Sequence, residues 1–443
     1  MSKQIALGAL IAPAGTAKAS WRHPEVDPAM VTSIEAYIEL AKTAERGYFD
    51  LFFLADTPGA RYEDIDQWSR DPLYHNALEP ITLLSALAVA TEHIGLGGTL
   101  SSTFFEPFNI ARQFASLDHI SHGRAAWNVV TSALDINAQN FGQDSMPPHD
   151  ERYARAREVL EVVKSYWDTW EDDAFVFDKE AGRNFDPRKF HVVDHQGAFI
   201  RAKGALNTAR PPQGHPLIVQ AGASEAGRDL AAETADVVFG VGSTVEMAKA
   251  FTHDVKARTF KFGRTPEDVL VLTGVNVIVG PTSAEARARA QVVEDCILID
   301  QRVHFLATDL EASLGDLPLD EPIPEERIPA STNQQAYYEE ILRLHRRGLT
   351  LRQVAEQYNR TKAVIVGDPA AVADRLEAWV EAGATDGFMF TVPWLPGGLE
   401  DLVDLLVPEL QRRGLVQTEN HAATLRERLG LTRPRNRNAR VSG

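Results

Sequence analysis

Leu51-Phe52-Phe53-Leu54 is a run of four apolar residues that ends at Ala55-Asp56-Thr57. A strand with one face in water alternates apolar and polar residues, and this run does not alternate. It therefore predicts a strand buried on both faces, which is typical of a parallel sheet covered by helices. The polar residues that follow it lie at its carboxyl end, where α/β proteins place their ligands.

Comparable apolar runs recur along the chain, separated by segments with helical periodicity. We predict eight strands, at Ile5–Ile11, Leu51–Ala55, Ile94–Leu100, Ala125–Thr131, Leu217–Ala221, Val237–Val241, Val271–Val279 and Gly387–Val392. The helices between them are predicted near 33–46, 80–91, 107–120, 151–170, 225–235, 245–262, 283–297 and 400–413. Eight βα units favour a closed (β/α)8 TIM barrel over an open, doubly wound sheet.

The predicted domain organisation is one barrel over residues 1–423, interrupted by two inserts and followed by a tail. The first insert, 172–212, is β-rich, with runs such as Phe175-Val176-Phe177. The second, 300–362, holds an acidic loop and two polar helices around 333–346 and 350–358. Loops of this length usually act as lids or interface elements.

The chain has 443 residues with 45 Lys plus Arg and 62 Asp plus Glu, giving a formal charge of −17. Such a charge repels phosphate backbones and anionic lipids, so nucleic-acid and membrane-surface roles would need a local basic patch. Only residues 424–443, with six arginines, offer one. We interpret them as a flexible tail or a contact with another subunit, in preference to a nucleic-acid-binding segment.

Cys296 is the single cysteine, which excludes an intrachain disulfide and a cysteine-based metal cluster. The expected location is the reducing cytoplasm. The apolar stretch from Ile5 to Pro13 has some features of a secretory signal, but Gly8 and Pro13 interrupt it and we favour a buried first strand. No apolar run approaches the length that spans a membrane.

Polar residues follow four of the predicted strands: Asp56-Thr57, Ser101-Ser102-Thr103, Asn128 with Thr131-Ser132, and Gly222-Ala223-Ser224. Each group taken alone is typical of a turn or a helix cap. The carboxyl ends of barrel strands meet at one mouth, so four such groups together indicate a ligand site.

Leu217 to Gly227 predicts a strand, a glycine turn and a helix that begins near Ser224. The free N–H groups and dipole of that helix would favour an anion such as a phosphate, with the Ser224 hydroxyl as a further donor. A plain helix cap is the alternative. Gly222-x-Ser224 also imitates a hydrolase nucleophile elbow, although that motif requires glycine where this chain has Ala226.

His149 and Tyr153 lie four residues apart at the start of a predicted helix, so both side chains point the same way. An imidazole and a phenol at the barrel mouth would suit a phosphate or polar ring atoms. His119 and His122 lack a carboxylate pair that would complete a metal site, and we predict no metal.

Taken together, these segments resemble the bacterial-luciferase-like flavin monooxygenases, in the branch of nitrilotriacetate, EDTA and dibenzothiophene-sulfone monooxygenases. The resemblance is carried by Phe52–Asp56, Ala111–Arg124, Trp127–Ser132, His149–Tyr153, Gln220–Ser224 and Gly367–Phe388. These segments occur in family order over about nine tenths of the chain. The family usually has Gly-Trp-Asn where this chain has Ala126-Trp127-Asn128.

The resemblance implies a barrel that binds reduced FMN (FMNH2) from a separate NAD(P)H-flavin reductase and activates O2 as a flavin peroxide. A Gly-x-Gly-x-x-Gly motif opens none of the βα units, which agrees with a separate reductase. The flavin-contacting positions of the family correspond to Asp56, Thr103, Asn128, His149, Tyr153 and Ser224. We assign Tyr153 and Ser224 to the phosphate, the side chains of positions 56, 103 and 128 to the isoalloxazine, and His149 to either end.

Within this set Asn128 and His149 are the candidate catalytic residues. The expected substrate is a small organic molecule containing sulfur or nitrogen, heterocyclic or carboxylated. The alternatives are a Ser224 hydrolase using His253 or His304, and a barrel that binds flavin without oxygenating anything. The resemblance also implies a homodimer or homotetramer.

Aromatic and basic residues follow the first two strands, in loops expected at the mouth, and would suit a flat or anionic substrate. They are Trp21, Arg22, His23, Trp68, Tyr74 and His75. Ordinary loop packing is the equally favoured alternative.

Overall fold

The computed structural model describes residues 4–63, 65–70, 75–330, 335–358, 363–420 and 422–439, with the backbone alone at 335–337. The strands are β1 (Ala6–Ile11), β2 (Leu51–Leu54), β3 (Gly95–Ser101), β4 (Ala125–Val130), β5 (Phe175–Asp178), β6 (Arg183–Phe185), β7 (Val193–Gln196), β8 (Arg201–Gly204), β9 (Leu217–Gln220), β10 (Val237–Gly240), β11 (Leu270–Val279), β12 (Ala363–Gly367) and β13 (Gly387–Thr391).

The helices are α1 (Ile34–Arg46), α2 (Ile65–Arg70), α3 (Pro80–Ala88), α4 (Pro107–Ile120), α5 (Asp135–Asn140), α6 (His149–Trp167), α7 (Glu225–Thr234), α8 (Val245–Arg258), α9 (Ser283–Asp295), α10 (Ile299–Leu310), α11 (Gln335–His345), α12 (Leu351–Gln357), α13 (Pro369–Glu381), α14 (Gly397–Asp401), α15 (Val407–Arg412) and α16 (Leu425–Arg428). Seven of the eight predicted helices are present with ends shifted by a few residues, and the eighth, predicted at 400–413, is divided into α14 and α15 by a π-helical segment, Leu402–Leu406. Among the residues described, none of these helices is long and apolar enough to cross a membrane.

Eight parallel strands close into a ring in the order β1-β2-β3-β4-β9-β10-β11-β13, and β13 pairs back with β1. The (β/α)8 TIM barrel is therefore confirmed, and each predicted strand end lies within one residue of the observed end. Ile11, Phe52 and Trp127 face the surrounding helices in the largest apolar core. Phe53 and Leu217 face the barrel interior.

β12 was not predicted as a strand. β11 pairs with its barrel neighbours through Leu270–Val275, and the rest of this long strand extends beyond the ring. β12 pairs with that extension, from Val275 to Val279. The apolar run Ala363-Val364-Ile365-Val366 was the available signal, and it was missed because it directly follows the polar insert.

The segment 172–212 contains two antiparallel hairpins, β5–β6 and β7–β8. Two further apolar runs of this insert, Phe190–Val193 and Ala198–Ile200, also indicated strands, and both are displaced from the strands observed. Of the run Phe190–Val193 only its last residue begins a strand, and Ala198–Ile200 forms the turn before β8. The turn of the first hairpin follows Asp178, and the turn of the second begins at Gly197. Aspartate and glycine are both typical turn residues.

The second insert contains α10, α11 and α12, which enclose an apolar cluster of their own. Leu306, Leu310, Ile341, Leu344 and Val354 are buried in this cluster. Residues 331–334 and 359–362, which include the predicted start of one helix, lie outside the described residues.

The C-terminal segment packs against the barrel of its own chain, whereas the sequence suggested a flexible tail or a contact with another subunit. Leu425 and Leu431 are buried and join the apolar side chains inside the barrel, including Leu51, Phe53 and Met389. The segment therefore closes the amino-terminal end of the barrel. The composition did not indicate this packing, because the few leucines are spaced among many arginines. Residues 440–443 lie outside the described residues.

Candidate active site

A cavity of about 340 Å³ opens at the carboxyl ends of β2, β4 and β9. Its lining includes Asp56, Thr57, Thr131, Ser132, Asn137, Tyr153, Gln220 and Gly222. Three of the four polar groups that the sequence placed after strands meet here, at the mouth expected for a barrel.

Asp56 follows β2 and lies mostly buried at one side of this cavity. Burial raises the pKa of its carboxyl group to about 6, although a hydrogen bond from the backbone N–H of Thr57 opposes the increase. The neighbouring Thr57 hydroxyl bonds to Asn137 Oδ1 at 3.2 Å. The side chain is therefore a carboxylate near neutral pH and accepts a proton in mild acid.

β3 and β4 carry a set of linked polar side chains. Thr103 donates its hydroxyl proton to the carbonyl of Thr131 at 2.8 Å, so toward a ligand it is a hydrogen-bond acceptor. Ser132 bonds to Ser101 at 2.9 Å. These bonds hold the loops after the two strands together at the edge of the cavity.

Asn128 is buried and does not line the cavity, although the next residue on β4, Val129, does. The nitrogen and the oxygen of its side-chain amide differ in their hydrogen-bond partners. Nδ2 donates to Thr99 Oγ1 at 2.8 Å, while Oδ1 is buried and has no hydrogen-bond partner among the described residues. Thr99 was missed by the sequence analysis because it lies inside a strand. The signal was one hydroxyl within Gly95-Leu96-Gly97-Gly98-Thr99-Leu100.

The first turn of α7 meets the cavity where β9 ends. Ser224 caps this helix, since its Oγ accepts the N–H of Gly227 at 3.1 Å. The backbone turns so tightly that a Cβ on Gly222 would lie 2.8 Å from the Cα of Gly227, so glycine is required there. Tyr153 places its hydroxyl 3.5 Å from Ser224 Oγ.

The geometry of Ser224 does not fit a hydrolase nucleophile. Its φ of −65° and ψ of 164° are those of an ordinary N-cap, whereas a nucleophile elbow is a strained turn. The hydrogen-bond partners of its hydroxyl in the described structure are Tyr153 and Gly227, and neither His253 nor His304 is among them.

His149 begins α6 at the rim and is not part of the cavity lining. Its ring is about half exposed, with Nδ1 3.0 Å from Asp150 Oδ1 and its centroid 4.7 Å from that of Tyr153. His119 bonds to the carbonyl of Ala209 at 3.0 Å. No metal-binding group of three or more ligands exists among the described residues.

The loops after β1 and β2 divide between packing and cavity lining. His23 stacks on Trp394 at 4.8 Å, and burial lowers its pKa. Trp68 stacks on His75 at 5.6 Å, and Arg22 bonds to the carbonyl of Cys296, so these side chains serve mainly to pack the loops. Tyr74 lies outside the described residues.

Trp21 is the exception, because it lines a second cavity of about 290 Å³ together with Pro13–Gly15, Val31 and Asn76. Its Nε1 donates to the carbonyl of Arg70 at 2.8 Å. Arg70 in turn forms an ion pair with Asp300 of α10. The second insert therefore contacts the loops that surround this cavity.

A sequence profile of the family described as luciferase-like monooxygenase matches residues 15–386. The chain belongs to this family. The resemblance noted from the sequence motifs is thereby confirmed.

Individual relatives cover the chain from end to end. It is 45% identical to component A of nitrilotriacetate monooxygenase from Aminobacter aminovorans, over 100% of this chain and 99% of the relative. It is 42% identical to N-acetyl-S-(2-succino)cysteine monooxygenase from Bacillus subtilis (strain 168), over 99% of both chains. The crystal structure of a riboflavin lyase with modified FMN and riboflavin superposes with a TM-score of 0.82 at 30% identity, over 97% of this chain and 96% of the other.

These likenesses establish the class of enzyme. The chain is an oxidoreductase, a flavin-dependent monooxygenase built on a TIM barrel. The hydrolase alternative is therefore not supported by either the geometry of Ser224 or the relatives.

Proposed function

We propose that this protein is the oxygenase component of a two-component system. It takes FMNH2 from a separate NAD(P)H-flavin reductase, binds O2 and oxygenates a small organic substrate that contains sulfur or nitrogen. One oxygen atom enters the substrate and the other leaves as water. Reduced FMN supplies the electrons for this reaction, and the protein supplies orientation and a site shielded from water.

The observation that carries the proposal is the construction of the 340 Å³ cavity. At one end the start of α7 offers free backbone N–H groups and two hydroxyls, which suit a phosphate. Gly222 lines the cavity at this end, and its lack of a side chain lets the turn before α7 approach Gly227 closely. Behind this lining, one residue before Val129 on β4, the buried Asn128 has an Oδ1 without a hydrogen-bond partner among the described residues, and such an acceptor suits a ring N–H. The residues present thus fit FMN.

We assign Tyr153 and Ser224 to the FMN phosphate, because both hydroxyls converge on the start of α7. Asp56, Thr103 and Asn128 are placed around the isoalloxazine ring. His149 lies at the rim of the cavity, at the start of α6, and we assign it to either the phosphate end or the ring end of the flavin. It and Asn128 are the candidates for contact with the reacting atoms.

The substrate class is proposed from the relatives. Nitrilotriacetate and N-acetyl-S-(2-succino)cysteine are both carboxylated compounds, the first built on nitrogen and the second on sulfur. We propose a carboxylated amine or thioether as the substrate here. We place this substrate in the 290 Å³ cavity beside Trp21, whose volume is close to the lower end of the range for small-molecule sites.

The need for a reductase is supported by the name of one relative, component A, which denotes one part of a larger system. The chain also lacks a dinucleotide-binding Gly-x-Gly-x-x-Gly at the start of a βα unit. NAD(P)H would then be oxidised by the partner protein.

The test is turnover of a panel containing nitrilotriacetate, N-acetyl-S-(2-succino)cysteine, sulfones and heterocycles, with FMN, NADH and a flavin reductase under 18O2. We expect one labelled oxygen in the product and no product when the reductase, FMN or O2 is omitted. Turnover without flavin that disappears in Ser224→Ala would instead indicate a hydrolase. Tight FMN binding with no oxygenated product from any compound would indicate a flavin-binding barrel alone.

A further inference from the structure

We infer that Thr99 is a positioning residue, which fixes the Asn128 amide so that Oδ1 accepts a hydrogen bond from an N–H of the reduced flavin ring. The inference rests on the proposed function, since it assumes that the flavin occupies the mouth of the barrel. Neither Thr99 nor Asn128 lines the cavity itself, and Asn128 lies directly before Val129, which does.

The two side chains are neighbours inside the barrel. Thr99 on β3 and Asn128 on β4 are paired in the strand register, and both are almost fully buried. Ala126, two residues earlier on β4, belongs to the interior apolar cluster. Because alternate residues of a strand share a face, Asn128 also points to the interior, one layer nearer the mouth.

The hydrogen bonds of Thr99 leave its neighbour a single orientation. A threonine hydroxyl has one proton, and Thr99 donates it to the carbonyl of Leu54 at 2.9 Å. Toward Asn128 the hydroxyl oxygen therefore acts only as an acceptor. The Asn128 NH2 group must face it, at 2.8 Å, and Oδ1 must face away.

This arrangement leaves a buried acceptor for which the described residues supply no donor. An unsatisfied buried acceptor is unfavourable, so a ligand that brings a donor gains affinity by pairing with it. Reduced flavin carries N–H groups on its ring, and a rotated amide would present NH2 to them instead. Thr99 thus sets the polarity of the site without contacting the flavin itself.

The test is a double-mutant cycle read as the dissociation constant of FMNH2, measured anaerobically by fluorescence titration. Thr99→Val removes the hydroxyl with little change of volume and is expected to raise Kd about threefold to thirtyfold. Thr99→Ser keeps the hydroxyl and should remain within about twofold of the parent. Asn128→Ala should raise Kd at least as much as Thr99→Val.

The decisive measurement is Thr99→Val in the Asn128→Ala background. If Thr99 acts through the amide, it should then change Kd by less than about twofold. A full Thr99→Val effect in that background would show a general structural role and overturn the inference, as would an unchanged Kd in Thr99→Val alone. Thermal unfolding of each variant identifies any that is misfolded, and Thr99→Ala then replaces Thr99→Val.

The parent protein separates this inference from the proposed function. A parent that does not bind FMNH2 overturns the proposed function and this inference with it. A parent that binds FMNH2 and is insensitive to Thr99→Val leaves the proposed function in place and overturns the role of Thr99.

Discussion

Arg426, near the C-terminus, forms a two-pronged ion pair with Asp236 at the start of β10, with Nη1–Oδ1 and Nη2–Oδ2 distances of 2.8 Å. The arginine side chain is 3% exposed. Asp236 Oδ2 also accepts the N–H of Ile218 on β9 at 2.8 Å. The C-terminal segment is thereby joined to two barrel strands at the end opposite the active site.

Arg426→Ala should lower the free energy of unfolding by about 3–5 kcal/mol, because it leaves the Asp236 carboxylate buried without its partner. Urea unfolding followed by circular dichroism measures this loss. Arg433→Ala is the matched control, since that arginine pairs with Asp172 at the surface and such pairs contribute about 0–1 kcal/mol. Equal losses in the two variants would contradict a structural role for the buried pair.

Leu425→Ala should cost about 2–5 kcal/mol, because the side chain is fully buried among the apolar residues inside the barrel. Leu429 is only partly buried against the same cluster, so Leu429→Ala should cost less. The same urea titration compares the two. If Leu425→Ala unfolds at the midpoint of the parent, the segment does not close the barrel in solution.

Asp50→Asn should change the pH dependence of stability. Burial raises the pKa of Asp50 from 3.8 to about 6 in the folded protein. The folded state therefore binds more protons than the unfolded state between about pH 4 and 6, and the parent loses stability as the pH rises through this range. In the parent, the N–H of Leu7 donates to the Asp50 carboxylate at 2.8 Å. Asparagine retains an oxygen that can accept this hydrogen bond.

Relative to the parent, Asp50→Asn should therefore be more stable at pH 8 than at pH 4.5. At about 1.4 kcal/mol per pH unit, the change in relative stability between the two pH values is about 2–3 kcal/mol. Urea unfolding at both pH values gives the comparison. A difference from the parent that is equal at both pH values would show that burial does not shift the pKa of this carboxyl group.

Ser224→Asp tests the phosphate site without removing the helix cap, because aspartate is also a good N-cap. Its negative charge should repel the FMN phosphate, so Kd for FMN should rise at least about tenfold while Kd for riboflavin, which has no phosphate, stays nearly constant. Fluorescence titration measures both.

Tyr153→Phe should show the same selectivity with a smaller loss, about threefold to tenfold for FMN. The tyrosine hydroxyl lies 3.5 Å from Ser224 Oγ, so the two groups should act on one part of the ligand. An equal loss of affinity for FMN and riboflavin would place these hydroxyls elsewhere on the flavin.

A homodimer or homotetramer is expected in solution. The first insert supports this expectation, because it exposes large apolar side chains: Phe177 in β5 is 66% accessible and Val192, just before β7, is 55% accessible in the single chain. Light scattering at micromolar concentration should give a mass of about two or four chains. A strictly monomeric mass would contradict it, and Phe177→Ser with Val192→Ser should weaken the assembly if the hairpins form the contact.

The sequence determined the barrel almost completely. Strands such as Leu51–Leu54 are buried on both faces, so each appears in the sequence as an unbroken apolar run. The polar residues at the mouth follow these runs directly in the chain. The residues around the mouth, including Asp56 and Tyr153, were identifiable for the same reason. The order of the motifs along the chain identified the family, and the family implied flavin as the cofactor.

Only the tertiary structure decided the features that depend on residues far apart in the chain. Arg426 and Asp236 are 190 residues apart, and the composition of the C-terminal segment indicates a tail until their contact is seen. Thr99 and Asn128 are 29 residues apart, and only the strand register brings them together. Which amide atom of Asn128 is left without a partner depends on a third residue, Leu54, whose carbonyl takes the threonine proton. A hydrogen-bond network of this kind has no signature in the sequence, because its donors and acceptors are paired by the fold.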